Sequence, residues 1–177
     1  MKCIALIGYM CVGKTTIGKA LAKQLGLRFY DLDWYIEYRF RRKIPEIFAE
    51  DGEEKFRKME QNMLHEVAAF EDIVLSCGGG TPTFADNMEY LNETSQTFYM
   101  KATPETILAH LAMARGNRPI LAGKNAEELD AFVRKQLAER EHFYAQAQHV
   151  IDVDILDSYE KIDDVVQMII DSADASH

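Results

Sequence analysis

Short apolar runs alternate along the chain with longer segments in which apolar residues recur every three or four positions. The first run, Cys3–Ile7, is apolar throughout and ends at Gly8, which is typical of a strand buried on both faces. The predicted strands cover residues 3–7, 28–31, 73–77, 97–101 and 149–153. Because a helix-like segment separates each strand from the next, we expect a parallel sheet with right-handed crossovers, an α/β fold.

The segments between these runs predict helices. The first has apolar residues at helical spacing up to Leu25, and Gly26 ends it. Residues 115–125 are rich in glycine, asparagine and basic residues and predict a mobile loop, while residues 174–177 are expected to fray. Apart from a break near Gly52, the predicted helices cover residues 14–25, 33–40, 45–70, 84–91, 104–113, 127–146 and 158–172.

Length and charge narrow the possible functions. The chain has 177 residues, which fits a single domain over residues 1–177, and its formal net charge of −9 argues against broad binding to nucleic acid or an anionic membrane. Three scattered cysteines are too few for a disulfide framework or a zinc site, and no run approaches the ~20 apolar residues that cross a bilayer. We expect a cytoplasmic monomer that acts on small molecules.

A phosphate-binding loop is predicted between the first strand and the first helix. The sequence GYMCVGKT at residues 8–15 satisfies G-x-x-x-x-G-K-[ST], so backbone N–H groups can converge on phosphate oxygens, Lys14 can add its charge, and Thr15 can ligate Mg²⁺. The pattern indicates ATP or GTP; the alternative is an ordinary turn with an incidental lysine. The expected nucleotide contacts are Gly8, Cys11, Val12, Gly13, Lys14, Thr15 and Thr16, with no catalytic role for Cys11.

Two carboxylates end the second predicted strand. Asp31 and Asp33 stand two positions apart, so they share one side of the chain at the end of the sheet where doubly wound folds bind ligands. Asp31 could hold the metal or its water shell, and Asp33 could accept a substrate hydroxyl. The alternative for Asp33 is a helix N-cap.

Several further motifs occur together in one known family. They are the pattern E-x-x-F-R-x-x-E at residues 53–60, the run Gly78-Gly79-Gly80 after the third predicted strand, the sequence Arg118-Pro119-Ile120-Leu121, and Arg140 preceding Tyr144. With the phosphate loop and the two aspartates, these motifs resemble the shikimate kinase family, a group of small P-loop kinases related to the nucleoside monophosphate kinases. The resemblance extends over nearly the whole chain.

The resemblance implies a fold and a reaction. The fold is a three-layer α/β/α domain with a five-stranded parallel sheet in the order 2-3-1-4-5, a substrate-binding region at about residues 33–61 and a mobile lid at about 114–125. The reaction is ATP- and Mg²⁺-dependent phosphorylation of the 3-hydroxyl of shikimate, with release of ADP, in chorismate and aromatic amino-acid biosynthesis.

The resemblance also implies roles for individual residues. Arg57 and Arg140 would hold the shikimate carboxylate, and Gly79 and Gly80 would contact the substrate. Arg118, in the lid, would neutralise charge on the transferred phosphoryl group beside Lys14. The remaining roles are adenine contact by Arg115, metal binding by Thr15 and Asp31, and orientation or deprotonation of the hydroxyl by Asp33.

Alternatives remain both for the roles of individual residues and for the function of the whole chain. Arg57 lies one helical turn from Glu53 and from Glu60, which could be only a solvated salt-bridge face, and the glycine run could be a plain turn. For the whole chain, the alternatives are a kinase for another small hydroxy acid such as gluconate and a nucleotide-binding module that phosphorylates no metabolite.

Overall fold

The computed structural model of the chain describes residues 3–114, 123–156 and 161–175. Five strands form one parallel sheet in the order β2-β3-β1-β4-β5, which confirms the order that the resemblance implied. The strands are β1 (Cys3–Ile7), β2 (Arg28–Asp31), β3 (Ile73–Ser76), β4 (Ser95–Lys101) and β5 (His149–Asp152).

Helices connect these strands. They are α1 (Lys14–Leu25), α2 (Leu32–Phe40), α3 (Ile44–Ala68), α4 (Asn87–Thr94), α5 (Pro104–Met113), α6 (Ala126–Tyr144) and α7 (Ile162–Asp174). The predicted break in the third helix is confirmed, since Gly52 adopts φ 80° and ψ 169° and bends α3 there. Within the described ranges, no helix is both long and apolar enough to pass through a bilayer.

The sheet topology creates the crevice that holds the site. The connection from β1 leads to β2, at one edge of the sheet. The connection from β3 leads to β4, which lies in the opposite direction across the sheet. Right-handed crossovers therefore send these two connections to opposite faces, and a crevice opens beyond the carboxyl ends of β1 and β3. Both strands are buried at every position, so the crevice stands on the rigid centre of the sheet.

One predicted helix is misplaced. Residues 84–91 were expected to be helical, but the chain forms a 3₁₀ turn at Thr81–Thr83 and the helix α4 begins only at Asn87. Pro82 suits the first turn of the 3₁₀ helix at Thr81–Thr83. Ala85 adopts a left-handed φ of 47°, so the chain is not helical just before α4.

Other boundaries shift by a few residues. Strand β4 begins at Ser95, two residues before the predicted start, because Ser95 continues the pairing with Cys3 on β1. Helix α7 continues to Asp174, where fraying was predicted. Most of the predicted loop 115–125 lies outside the described residues, and Asn125 begins α6 as an N-cap whose side chain accepts from the N–H of Glu128.

Candidate active site

The loop between β1 and α1 has the backbone geometry that a phosphate cradle requires. Gly8 and Gly13 have φ values of 142° and 91°, conformations that strongly favour glycine. A Cβ atom on Gly8 would lie 2.7 Å from the carbonyl oxygen of Met100, so a side chain there would displace β4. Gly13 is also the N-cap of α1, and no side chain caps this helix end. Its N–H groups and positive dipole end are therefore available to an anion.

Lys14 lies buried under the loop that it follows. Its Nζ donates to the carbonyl oxygens of Gly8 at 2.7 Å and of Tyr9 at 2.6 Å, so the ammonium group is held against the inner side of the loop. Both partners are neutral carbonyl groups, and the ammonium group also lowers the pKa of Asp33 across the crevice. Lys14 is thus placed to attract phosphate oxygens entering the cradle.

Thr15 and Asp31 place two oxygen atoms that could ligate a metal beside the loop. The Thr15 hydroxyl donates to Oδ2 of Asp31 at 3.0 Å, and Oδ1 of Asp31 accepts from the N–H of Trp34 at 3.1 Å. Asp31 is therefore the N-cap of α2, which excludes that role for Asp33. A hydroxyl and a carboxylate at this distance are the hard ligands that Mg²⁺ prefers.

Asp33 stands in the first turn of α2 and lines the crevice. The residue as a whole is exposed because the crevice is open, but its carboxyl group lies close to the glycine run, since a Cβ on Gly78 would lie 3.0 Å from its Oδ1. Burial, followed by the carboxylates of Glu60 and Asp31, raises the pKa of Asp33 to about 6, and Lys14 and Arg57 partly oppose that rise. The carboxylate is therefore more basic than an ordinary aspartate and remains mostly ionised at neutral pH.

Arg57 is held by a buried carboxylate rather than by a solvated face. Its NH1 donates to Oε1 of Glu60 at 2.7 Å, and the Glu60 side chain is only 1% exposed. Oε2 of Glu60 accepts from the Thr81 hydroxyl at 2.9 Å, which fixes the carboxylate in turn. Glu53 lies 3.8 Å from Nε of Arg57 and is 70% exposed, so it contributes little. Of the two predicted partners, Glu60 is the one that orients the guanidinium.

Arg140, on α6, lies beside the glycine run Gly78-Gly79-Gly80, as does Arg57. Its guanidinium lies over the Tyr9 ring, 5.6 Å from the ring centroid. A Cβ on Gly79 would lie 3.1 Å from NH1 of Arg140, and a Cβ on Gly80 would overlap the guanidinium of Arg57. Because Gly79 and Gly80 have no side chains, they leave room for the guanidinium groups of Arg140 and Arg57.

One crevice of about 400 Å³ brings most of these residues together. The predicted site residues that line it are Cys11, Gly13, Lys14, Thr15, Thr16, Asp31, Asp33, Arg57, Gly79, Gly80 and Arg140. Gly8 and Val12 are buried and do not line the crevice, so a nucleotide could meet only their backbone. Arg115 and Arg118 lie outside the described residues.

Beside Phe56, which belongs to the pattern at residues 53–60, the structure adds residues that the motifs did not indicate. Ile44, Phe48 and Phe56 form an apolar wall of the crevice, with the two phenylalanine rings 4.5 Å apart. The i, i+4 spacing of Ile44 and Phe48 at the start of α3 was a usable signal. On the loop side, Nδ1 of His110 lies 2.8 Å from the Cys11 carbonyl oxygen, a contact between α5 and the loop that local sequence does not reveal.

The comparisons with known proteins agree with this geometry. A family model described as "Shikimate kinase" matches residues 10–172. The chain belongs to the shikimate kinase family. The shikimate kinase of Bacteroides thetaiotaomicron is 48% identical over 93% of this chain and 94% of its own length. That of Flavobacterium johnsoniae is 38% identical over 97% of this chain and 98% of its own.

Solved structures support the same family. The crystal structure of the B. thetaiotaomicron shikimate kinase matches with a TM-score of 0.95 and 46% identity, covering 98% of both chains. A shikimate kinase from Acinetobacter baumannii in complex with shikimate matches with a TM-score of 0.86 and 32% identity, over 99% of this chain and 94% of that chain. A gluconokinase from Sinorhizobium meliloti shares only 14% identity at a TM-score of 0.61, which indicates a shared fold alone.

Proposed function

We propose that the protein transfers the γ-phosphoryl group of ATP to the 3-hydroxyl of shikimate, producing shikimate 3-phosphate and ADP in aromatic amino-acid biosynthesis. One observation supports this proposal above the others. Arg57 and Arg140 come from helices far apart in the sequence, yet both flank Gly79-Gly80 in the crevice that also contains Lys14 and Asp33. A crevice with a phosphate cradle, a basic carboxylate and two guanidiniums suits a kinase for a hydroxylated acid.

The cradle side would bind the nucleotide. Backbone N–H groups of the loop and the first turn of α1 would hold the phosphates, with Lys14 at their terminal oxygens. Thr15 and Asp31 would hold Mg²⁺, which would offset the negative charge of the phosphates. Within the three described ranges, no group of three or more His, Cys, Asp or Glu side chains could hold a metal. In kinase sites Mg²⁺ binds through one or two protein oxygens, water and phosphate.

Asp33 would prepare the acceptor hydroxyl. The shikimate oxygen forms the new bond to the γ-phosphorus while the bond from that phosphorus to the bridging oxygen of ADP breaks, and the hydroxyl proton goes to the Asp33 carboxylate. A base with a pKa near 6 accepts a proton better than an ordinary aspartate but is still ionised at pH 7. Most of the remaining catalysis is positioning and charge stabilisation.

The acid side would orient the substrate. Arg57 and Arg140 together can bind the planar shikimate carboxylate, because guanidinium groups pair with carboxylates through two parallel hydrogen bonds. The apolar wall of Ile44, Phe48 and Phe56 would contact the carbon ring. With its carboxylate held at one end, the acid can present its hydroxyl to Asp33 at the other.

The lid residues complete the proposal. Arg118 would neutralise charge that develops on the phosphoryl group once the segment around residues 114–125 closes, and Arg115 would flank the adenine. Both assignments rest on the family resemblance. A single domain over residues 1–177, a cytoplasmic location and a monomeric state likewise remain predictions from the sequence.

The function is tested by following ADP release from ATP and Mg²⁺ with a panel of small hydroxylated acids. We expect turnover with shikimate and a product phosphorylated at the 3-hydroxyl, identified by ³¹P NMR. Turnover with gluconate and none with shikimate would contradict the substrate assignment. Nucleotide binding without turnover of any acid would favour the non-catalytic module.

A further inference from the structure

Tyr144 is the last residue of α6, and its fully buried side chain reaches the glycine run. Its hydroxyl donates to the carbonyl oxygen of Gly79 at 2.6 Å, a hydrogen bond between residues 65 positions apart. Burial raises the pKa of Tyr144 to about 12, and the charge of Arg140 only partly opposes that rise. The hydroxyl therefore keeps its proton and remains a hydrogen-bond donor throughout the neutral pH range.

The Gly79 carbonyl differs from its two neighbours in the run. The carbonyl groups of Gly78 and Gly80 each accept from the N–H three residues further along the chain, at 3.1 Å. The Gly79 carbonyl has no such local donor, and Tyr144 is its one partner among the residues that the structure describes. The orientation of the peptide group between Gly79 and Gly80 therefore depends on a side chain from a distant helix.

This peptide group needs such a restraint because a glycine stands on each side of it. Glycine tolerates φ of either sign, and the C=O and N–H of a trans peptide point in opposite directions, so rotation of the group would exchange an acceptor for a donor. With the Gly79 carbonyl held by Tyr144, the Gly80 N–H points away from that tyrosine. It has no acceptor within the described ranges. Because Gly80 lines the crevice and Tyr144 does not, this unused donor is available to a ligand there.

The same peptide group lies between the two guanidinium groups proposed for the acid. A Cβ on Gly79 would lie 3.1 Å from NH1 of Arg140, and a Cβ on Gly80 would overlap the guanidinium of Arg57. In the observed orientation the Gly80 N–H adds a neutral donor between two charged ones. In the rotated orientation the Gly79 carbonyl oxygen would replace that donor and would repel an anionic substrate.

We propose that Tyr144 is a positioning residue, which holds the Gly79–Gly80 peptide in one orientation so that the Gly80 N–H, and not the Gly79 carbonyl, faces the substrate. The inference rests on the proposed function, because the substrate is the acid that this function assigns to the crevice. Tyr144 acts through the peptide and not by contact with the acid. Its loss should therefore affect binding of the acid and leave binding of the nucleotide intact.

Tyr144→Phe tests the inference, since it removes the hydroxyl and keeps the ring. Steady-state kinetics should show KM for shikimate raised about tenfold, with kcat and KM for ATP each within about twofold of the unmodified protein. A purely structural role would give a different result, because partial unfolding lowers the concentration of active enzyme and hence the apparent kcat, but not KM. An unchanged KM for shikimate would overturn the inference.

The orientation of the peptide can also be measured without a ligand. In Tyr144→Phe the Gly79 carbonyl loses its donor, so the carbonyl ¹³C resonance of Gly79 and the amide ¹⁵N resonance of Gly80 should both shift in the NMR spectrum of the free protein. The nuclear Overhauser effect between the Gly79 Hα atoms and the Gly80 N–H should change as well, because that distance depends on ψ of Gly79. If these signals all stay unchanged, Tyr144 does not set the orientation and the inference is overturned.

Tyr99→Phe is the matched control. The Tyr99 ring lies 5.1 Å from that of Tyr144, and its hydroxyl donates to Glu141 of α6 at 2.6 Å, so this variant also removes a hydrogen bond between a buried tyrosine and its partner. We expect its KM for shikimate to stay within about twofold of the original value. A rise as large as in Tyr144→Phe would show that packing of α6 is responsible, and would overturn the inference.

Failure of the proposed function is a distinguishable outcome. If the unmodified protein neither binds nor phosphorylates shikimate, the proposed function is overturned and the inference with it. If the unmodified protein phosphorylates shikimate and Tyr144→Phe does so with the same KM, the inference alone is overturned.

Discussion

The two ends of the crevice are built from different parts of the polypeptide. At the phosphate end, the groups proposed to contact the nucleotide are mostly backbone N–H groups, arranged by glycines at φ 142° and 91° within one short loop. At the acid end, the groups proposed to bind the substrate are the side chains of Arg57 and Arg140, which line the same crevice from α3 and α6. Single substitutions should therefore damage the acid end selectively, whereas the phosphate end depends on local backbone shape.

Asp33 lies between the two ends, and its replacement should have the largest effect on turnover. Asp33→Asn keeps the size of the side chain but cannot accept a proton, so we expect kcat to fall about 10³-fold while both ligands still bind. Steady-state kinetics and calorimetry with each ligand measure the two effects. A decrease smaller than tenfold would show that the carboxylate is not the proton acceptor.

The same substitution should stabilise the fold. Because burial raises the pKa of Asp33 to about 6, the ionised carboxylate destabilises the folded state at pH 7, and asparagine removes that charge. After allowance for solvent screening in the open crevice, the gain is about 1 kcal/mol in the free energy of unfolding. Urea denaturation at pH 7 measures it, and a loss of stability would contradict the assigned cause.

Arg57→Ala should produce the next largest effect, confined to the acid end. The substitution removes one of the two guanidinium groups proposed to bind the shikimate carboxylate, and it leaves Glu60 without its ion pair to Arg57. We expect KM for shikimate to rise about 100-fold and KM for ATP to stay within about twofold of its original value. Lys58→Ala is the matched control, since Lys58 is an exposed neighbour paired only with Glu54 among the described ion pairs. Equal losses for both substrates in Arg57→Ala would contradict the division between the two ends.

The difference between the ends also explains what the sequence could predict. The phosphate loop is a local motif between a strand and a helix, so its residues could be located without a structure. The acid end could be assigned only through the family resemblance. The contact of Tyr9 with Arg140 and that of His110 with Cys11 join residues distant in sequence, and no local pattern indicates them.

Local rules failed where several residues competed for one role. Asp31 and Asp33 are both plausible N-caps of α2, and only the position of the Trp34 N–H decides that Asp31 is the cap. The helix expected at residues 84–91 is wrong at its start because Thr81–Thr83 form a 3₁₀ turn and Ala85 adopts a left-handed φ of 47°, which alanine rarely does.

The pH profile should show the protonation of Asp33 directly. Because the carboxylate must be ionised to accept the hydroxyl proton, kcat/KM should fall about tenfold per pH unit below pH 6, the pKa of Asp33 in the free protein. Asp33→Asn should lose this limb. The effect on stability has the opposite sign, since the contribution of Asp33 is most favourable below pH 4 and is lost as the pH rises through 6. A limb that persists in the variant would assign it to another group.

Gly80→Ala should weaken the acid end without touching a charge. Gly80 has φ −92°, which alanine adopts without strain, so the only conflict is that a Cβ would overlap the Arg57 guanidinium. We expect KM for shikimate to rise about tenfold through displacement of that arginine. Gly26→Ala is the contrasting variant, because its Cβ meets nothing within 4 Å and its φ of 68° should cost stability instead. Unchanged shikimate kinetics in Gly80→Ala would show that Arg57 has other productive positions.

The smallest expected effect tests whether the phosphate end is purely a matter of local backbone. Cys11 adopts a left-handed φ of 60°, and Nδ1 of His110 donates to its carbonyl oxygen at 2.8 Å. In a trans peptide the C=O and the following N–H point in opposite directions, so this contact turns the Val12 N–H away from His110. His110→Leu should therefore raise KM for ATP about threefold, with shikimate affinity in the absence of nucleotide unchanged.

Conservative variants at the same position decide whether the hydrogen bond or the bulk of the ring is responsible. The side-chain amide nitrogen of asparagine can occupy nearly the position of Nδ1, whereas that of glutamine is closer to Nε2. His110→Asn should thus restore most of the ATP affinity that His110→Leu loses, and His110→Gln should restore less. If all three variants bind ATP as tightly as the unmodified protein, the phosphate loop keeps its shape without the contact from α5. The phosphate end of the crevice would then depend on its own backbone alone, in full contrast to the acid end, which depends on side chains from two helices.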